Sequence, residues 1–190
     1  IDWKNSVVIL GDSCTYGVGL AEDETISYRL ESMLGRPVIN LGVPGSSNPS
    51  IVNNSSIIIN QFDIPYGVVL NWSSPNRFRY YYSNGYMDVS QSIFNKSPFG
   101  NNLIIEDTNI SALWTNKYIN PTNEMCLNFF LSQNANAMWK GRSNQISISF
   151  FLETAHYTRC ERYFQNHGTA RDMIHPGPED AAEVAAYLYE

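Results

Sequence analysis

The chain has 190 residues, 43% hydrophobic and 16% charged, which is enough apolar material for one domain around one core. Its net charge of −6 argues against nucleic acid as a partner, because binders of polyanions carry a basic face. No apolar run is long enough for a membrane span and no charged-then-apolar leader opens the sequence. Cys14, Cys126 and Cys160 read as free thiols, so a cytoplasmic location is expected.

In chain order, Val7-Val8-Ile9-Leu10 reads as a strand buried on both faces. It turns at Gly11 and delivers Asp12 and Ser13 at its carboxyl end, where open α/β sheets bind ligands. Thr15 to Leu20 is a turn-rich loop. Its Gly17-x-Gly19 lacks the third glycine of a dinucleotide fingerprint, since Glu22 stands in that place. Glu24-Thr25 opens a helix to Leu34 with Ile26, Leu30, Met33 and Leu34 on one face and Gly35 at its end. Pro37 to Leu41 is a second strand, completing a βαβ unit. A loop rich in Gly, Pro, Ser and Asn follows over 40–49. The next helix reaches Gln61, carried by Ile51, Ile57, Ile58 and Ile59. Tyr66 to Trp72 is the third strand, closing in Ser73-Ser74-Pro75-Asn76-Arg77.

Residues 77–121 break the alternation and read as an insertion over the upper edge of the sheet. Within it, Phe78 to Tyr82 and Tyr86 to Val89 flank Ser83-Asn84-Gly85 as a β-hairpin with an Asn-Gly turn. A helix then runs from Pro121 to Lys140, and Gln145 to Phe151 alternates as a fourth strand. Residues 153–171 are polar, leaving a fifth strand short or absent. Pro178 to Glu190 is a terminal helix with Glu179 and Asp180 in its first turn. The whole reads as one α/β domain over 1–190 with a parallel sheet.

A serine hydroxyl becomes a nucleophile when a base takes its proton and a third group holds that base in the right tautomer. Of His156, His167 and His175, the last lies in Asp172-Met173-Ile174-His175-Pro176-Gly177. There one turn brings a carboxylate to imidazole Nδ1 and leaves Nε2 for Ser13. His156 and Cys160 have the spacing of helical metal ligands, but no further ligands cluster nearby, so they read as a solvated face. His167 reads as a turn residue. No metal or cofactor is expected.

These residues resemble the SGNH (GDSL-type) hydrolase family. Gly11-Asp12-Ser13 is similar to its first block, Asn40 to Gly45 to its second, and Asp172, His175 and Pro176 to its last. The resemblance implies a flavodoxin-like three-layer α/β/α sandwich, here with an insertion after the third strand. It also implies a Ser13-His175-Asp172 triad and an oxyanion hole formed by Ser13, Gly45 and Asn76, with Gly42 the alternative to Gly45. The third block departs from the family pattern, since Ser74 stands for its glycine and Arg77 for its aspartate. A strand end shifted by one residue would leave Asn71 or Ser74 as the donor.

The activity implied is hydrolysis of short-chain or O-acetyl esters of small molecules or glycans. The alternatives are a non-catalytic binding or structural protein, such as a phage-associated one, on a degenerate scaffold, or a glycan acyltransferase. Trp72, Arg77 and Tyr80 are the expected substrate contacts, within an aromatic platform that includes Phe78, Tyr81, Tyr82, Tyr86 and Trp114.

Overall fold

The computed structural model describes residues 1–82, 85–89 and 121–190. Its main sheet has five parallel strands: β1 (Val7–Gly11), β2 (Val38–Gly42), β3 (Gly67–Trp72), β6 (Asn144–Ser149) and β7 (Arg162–Tyr163). They lie in the order β2-β1-β3-β6-β7, the 2-1-3-4-5 arrangement of flavodoxin-like doubly wound sheets. The fifth strand is two residues long, paired to Ile148 and Ser149 of β6. The hairpin forms from β4 (Phe78–Tyr82) and β5 (Gly85–Val89). Tyr82 pairs with Gly85, so Gly85 belongs to the strand and not to the expected Asn-Gly turn. The rest of the expected insertion, 90–120 with Trp114, lies outside the described residues.

Strand β1 explains why the sheet is covered on both sides. Successive side chains of a strand point to opposite faces. Val7 and Ile9 pack with Ile26 and Leu30 of α2 (Ile26–Leu34) and with Ala181, Val184, Ala185 and Leu188 of α6 (Pro178–Tyr189). Val8 and Leu10 pack on the other side with Ile51 and Ile58 of α3 (Asn48–Gln61) and with Ala135 and Trp139 of α4 (Pro121–Trp139). The buried stripe of α2 follows Ile26, Leu30 and Leu34 at four-residue steps, which leaves Met33 exposed. On α3, Ile51 and Ile58 stand two turns apart, and Ile57 falls outside that stripe.

Two short helices escape the sequence patterns, namely α1 (Ser13–Tyr16) and α5 (Leu152–Thr158). Neither is long enough to display an apolar stripe, and α5 lies in the polar stretch that gives no signal. No helix among the described residues is long and apolar enough to cross a membrane.

Leu10 is 1% exposed and ends one residue before the Gly11 turn. Leu10→Ala should therefore lower stability by about 3 kcal/mol, the cost of lost transfer plus a residual cavity. The check is the shift in urea midpoint at constant slope.

Candidate active site

The carboxyl ends of β1, β2 and β3 converge on three turns. After β1, Asp12 caps α1, its Oδ1 accepting the Cys14 N–H at 3.0 Å while its carbonyl accepts from Tyr16. Ser13 is therefore the first residue of a helix and lies close to the positive end of the helix dipole. The close fit of α1 against the sheet depends on Gly42, where an added Cβ would sit 2.4 Å from the Tyr16 nitrogen. Burial pushes the neighbouring Cys14 thiol up, with the Asp12 charge adding to it.

After β2, Val43-Pro44-Gly45-Ser46 is a β-turn closed by the Ser46 N–H to the Val43 carbonyl at 2.9 Å. Pro44 at its second position and Gly45 at φ 82° in its third are the residues a type II turn selects. Gly45 is exposed at the tip. The Gly42 N–H is already taken by Asn40 Oδ1 at 2.9 Å, which favours Gly45 as the backbone donor of the two. After β3, the Ser74-Pro75-Asn76-Arg77 turn closes through Arg77 N–H to the Ser74 carbonyl at 3.2 Å. Within it the Ser74 hydroxyl donates to Asn76 Oδ1. Asn71, the other amide considered for this role, is buried and donates to Thr15 Oγ1 at 2.8 Å.

The fourth loop brings Asp172 and His175 together. Asp172 does two jobs with one carboxylate. Its Oδ1 accepts the Ile174 and His175 N–H groups at 3.1 Å each, and its Oδ2 bonds His175 Nδ1. Met173, between them, takes φ 60°, a left-handed conformation that costs a non-glycine residue roughly 1–2 kcal/mol. Two anchors offset this cost. Arg171 donates its backbone N–H to the Gly19 carbonyl at 3.1 Å and grips Glu24 with two guanidinium nitrogens at 2.6 and 3.0 Å. Gly19, at φ 79°, leaves room for Asp172, whose carboxyl carbon would lie 3.1 Å from an added Cβ. Gly17-x-Gly19 therefore shapes a loop contact.

On the other side of His175, the buried Asp180 carboxylate at the start of α6 accepts the His167, Gly168 and Gly177 N–H groups at 2.8, 3.1 and 2.9 Å. Sequence reasoning placed Asp180 only against the helix dipole. Its second role ties the loop that follows His175 to the 167–168 segment.

Ser13 and His175 line one open depression, together with Cys14, Val18, Leu20, Ile26, Phe150 and Pro176. No hydrogen bond joins Ser13 Oγ to His175 among the described residues, and such bonds commonly tighten only when substrate binds.

Two expected substrate contacts turn out differently. Trp72 is wholly buried in the α3–α4 side of the core, on the same strand face as Val68 and Leu70, so it does not reach a ligand. Arg77 is engaged at close range with the Asp12 carboxylate, 2.7 Å away. Tyr80 sits in β4, but its side chain is outside the described residues. His156 is exposed on α5, and Cys160 follows that helix with its thiol donating to the Arg162 carbonyl at 3.2 Å. All three cysteines are free.

No protein-family model and no curated protein sequence matches this chain. Solved structures do share its fold. A psychrotrophic esterase, EstA from Pseudoalteromonas sp., in a structure inhibited by monoethylphosphonate, superposes with TM-score 0.54 at 11% identity, covering 98% of this chain and 95% of that one. A G-D-S-L family protein from Desulfitobacterium hafniense gives TM-score 0.50 at 12% identity, with 98% of both chains covered. An acetyl xylan esterase from Butyrivibrio proteoclasticus gives TM-score 0.53 at 10% identity, covering all of this chain and 63% of that one. The fold is that of the SGNH (GDSL-type) hydrolases.

The His175 hydrogen bond, helped by the His175 and Ile174 N–H groups, lowers the Asp172 carboxyl from its ordinary value to about 2. Ionised Asp172 therefore stabilises the fold above the ordinary carboxylate pKa, and that stabilisation is lost as pH falls through about 2. His175→Ala removes the largest cause, so the Asp172 titration should move up towards 4. Carbon-detected NMR of the side-chain carboxyl reads this directly.

Proposed function

We propose that the protein is a serine esterase. The observation that carries this reading is that His175, bonded through Nδ1 to Asp172, lines the same depression as Ser13. In the reaction, Ser13 Oγ bonds to the ester carbonyl carbon as its proton passes to His175 Nε2. Asp172 stabilises the resulting imidazolium through Nδ1. The carbonyl oxygen becomes an oxyanion held by the N–H groups of Ser13 and Gly45 and the side-chain amide of Asn76. Each such donor contributes about 3–4 kcal/mol to the transition state. Collapse of the intermediate expels the alcohol with the proton from His175. Water, deprotonated by the same imidazole, then releases the acid from Ser13.

The substrate class proposed is a short acyl ester, with an O-acetylated glycan as the preferred type. The acetyl xylan esterase among the structural relatives is consistent with a carbohydrate ester.

The protein should hydrolyse p-nitrophenyl acetate and be labelled at Ser13 by a fluorophosphonate. Ser13→Ala should abolish both, while Asn76→Ala should lower kcat by about 10²–10³. Equal hydrolysis by wild type and Ser13→Ala would dismiss the esterase reading.

A further inference from the structure

The strongest polar contact beneath the site is one the triad does not use. Asp12 is 1% exposed and its carboxylate oxygens are shared between two tasks. Oδ1 caps α1 at Cys14, whereas Oδ2 accepts from Arg77 Nη1 at 2.7 Å and from Ser73 Oγ at 2.7 Å. The same Nη1 lies 3.0 Å from Ser73 Oγ and 3.4 Å from the Ser46 carbonyl. One guanidinium nitrogen thus touches the turn that carries Ser13, the turn that carries Gly45 and the turn that carries Asn76.

The ground beneath Arg77 is fixed in turn. The Ser73 N–H donates to Asn48 Oδ1 at 2.7 Å, and the Ser73 carbonyl accepts from Asn48 Nδ2 at 3.1 Å and Thr154 Oγ1 at 2.8 Å. Asn128 of α4 donates to the Pro75 carbonyl at 3.3 Å.

We propose that Arg77, through its ion pair with Asp12, is a positioning residue that locks the nucleophile and both oxyanion turns into one unit. The proposal rests on the esterase reading above. A charge neutralised by a buried carboxylate, on a side chain only 20% exposed, serves as an internal strut and not as an anchor for an anionic substrate. Where the family pattern has an aspartate, this chain has Arg77, which supplies a cation to Asp12.

The test compares Arg77→Lys, Arg77→Met and the double variant Asp12→Asn/Arg77→Met in kcat and KM for p-nitrophenyl acetate, thermal midpoint, and hydrogen exchange. Asn at position 12 keeps the cap on Cys14 and removes the buried charge, so the double variant folds even if Arg77→Met does not. Expected for the double variant is kcat down ten- to a hundredfold, KM within twofold, a near wild-type midpoint, and faster exchange over 43–47 and 73–77 with α6 unchanged. Arg77→Lys should recover most of kcat, because its ammonium can still reach Asp12. A raised KM with kcat held would instead make Arg77 a substrate contact and overturn the proposal, as would full kcat in the double variant. If the wild type turns over no ester, the esterase reading falls by itself. Exchange then decides the strut: faster exchange in the two turns upholds it, and unchanged exchange overturns it.

Discussion

A strand hydrogen-bonded along both edges and buried on both faces meets solvent only at its ends. β1 is that strand here, paired in parallel register with β2 from Val7–Val38 to Gly11–Gly42 and with β3 from Val7–Gly67 to Leu10–Leu70. Parallel pairing puts the carboxyl ends of all three strands on one rim. The turns carrying Ser13, Gly45 and Asn76 must therefore be neighbours, however far apart they lie in the sequence. The crowding also sets the local chemistry. Three polar turns packed against one another leave little room for water, so Asp12, Ser73 and Asn48 satisfy one another and Asn71 donates to Thr15. Removing one partner of a buried ion pair costs about 3–5 kcal/mol, which makes Asp12 and Arg77 interdependent.

His175 arrives by a different route. The Asp172–His175 loop is irregular, includes one residue in a left-handed conformation, and is held from outside by Gly19 and Glu24 on one side and Asp180 on the other. Its order comes from contacts made by its backbone and carboxylates, and little of it from hydrophobic burial: Met173 and Ile174 are both largely exposed. Such loops belong to the less stable part of a structure.

Where the sequence was legible, a strong local signal existed. The uninterrupted apolar run of β1, the Gly35 stop of α2, the Pro-Glu-Asp start of α6 and the Asp-x-x-His spacing all survive in the structure. Four-residue α1 has no periodicity to read, although an aspartate one residue before Ser13 is a capping signal. Trp72 reads in the sequence as part of an aromatic platform for substrate, and the structure buries it. The alternation Val68, Leu70, Trp72 already puts it on a core face. The Arg77–Asp12 pair joins residues 65 apart, and no spacing rule reports a contact of that range. Asp180 was legible only as a helix-dipole residue, since its other acceptor contacts lie 12 and 13 residues upstream, in a polar loop.

The grip of Arg171 on Glu24 joins positions 147 apart. During synthesis the turns that carry Ser13, Gly45 and Asn76 leave the ribosome early, while Asp172 and His175 follow only after β6 and β7 have been made. The late segment therefore meets Glu24 and Gly19 only once every strand of the main sheet has been made.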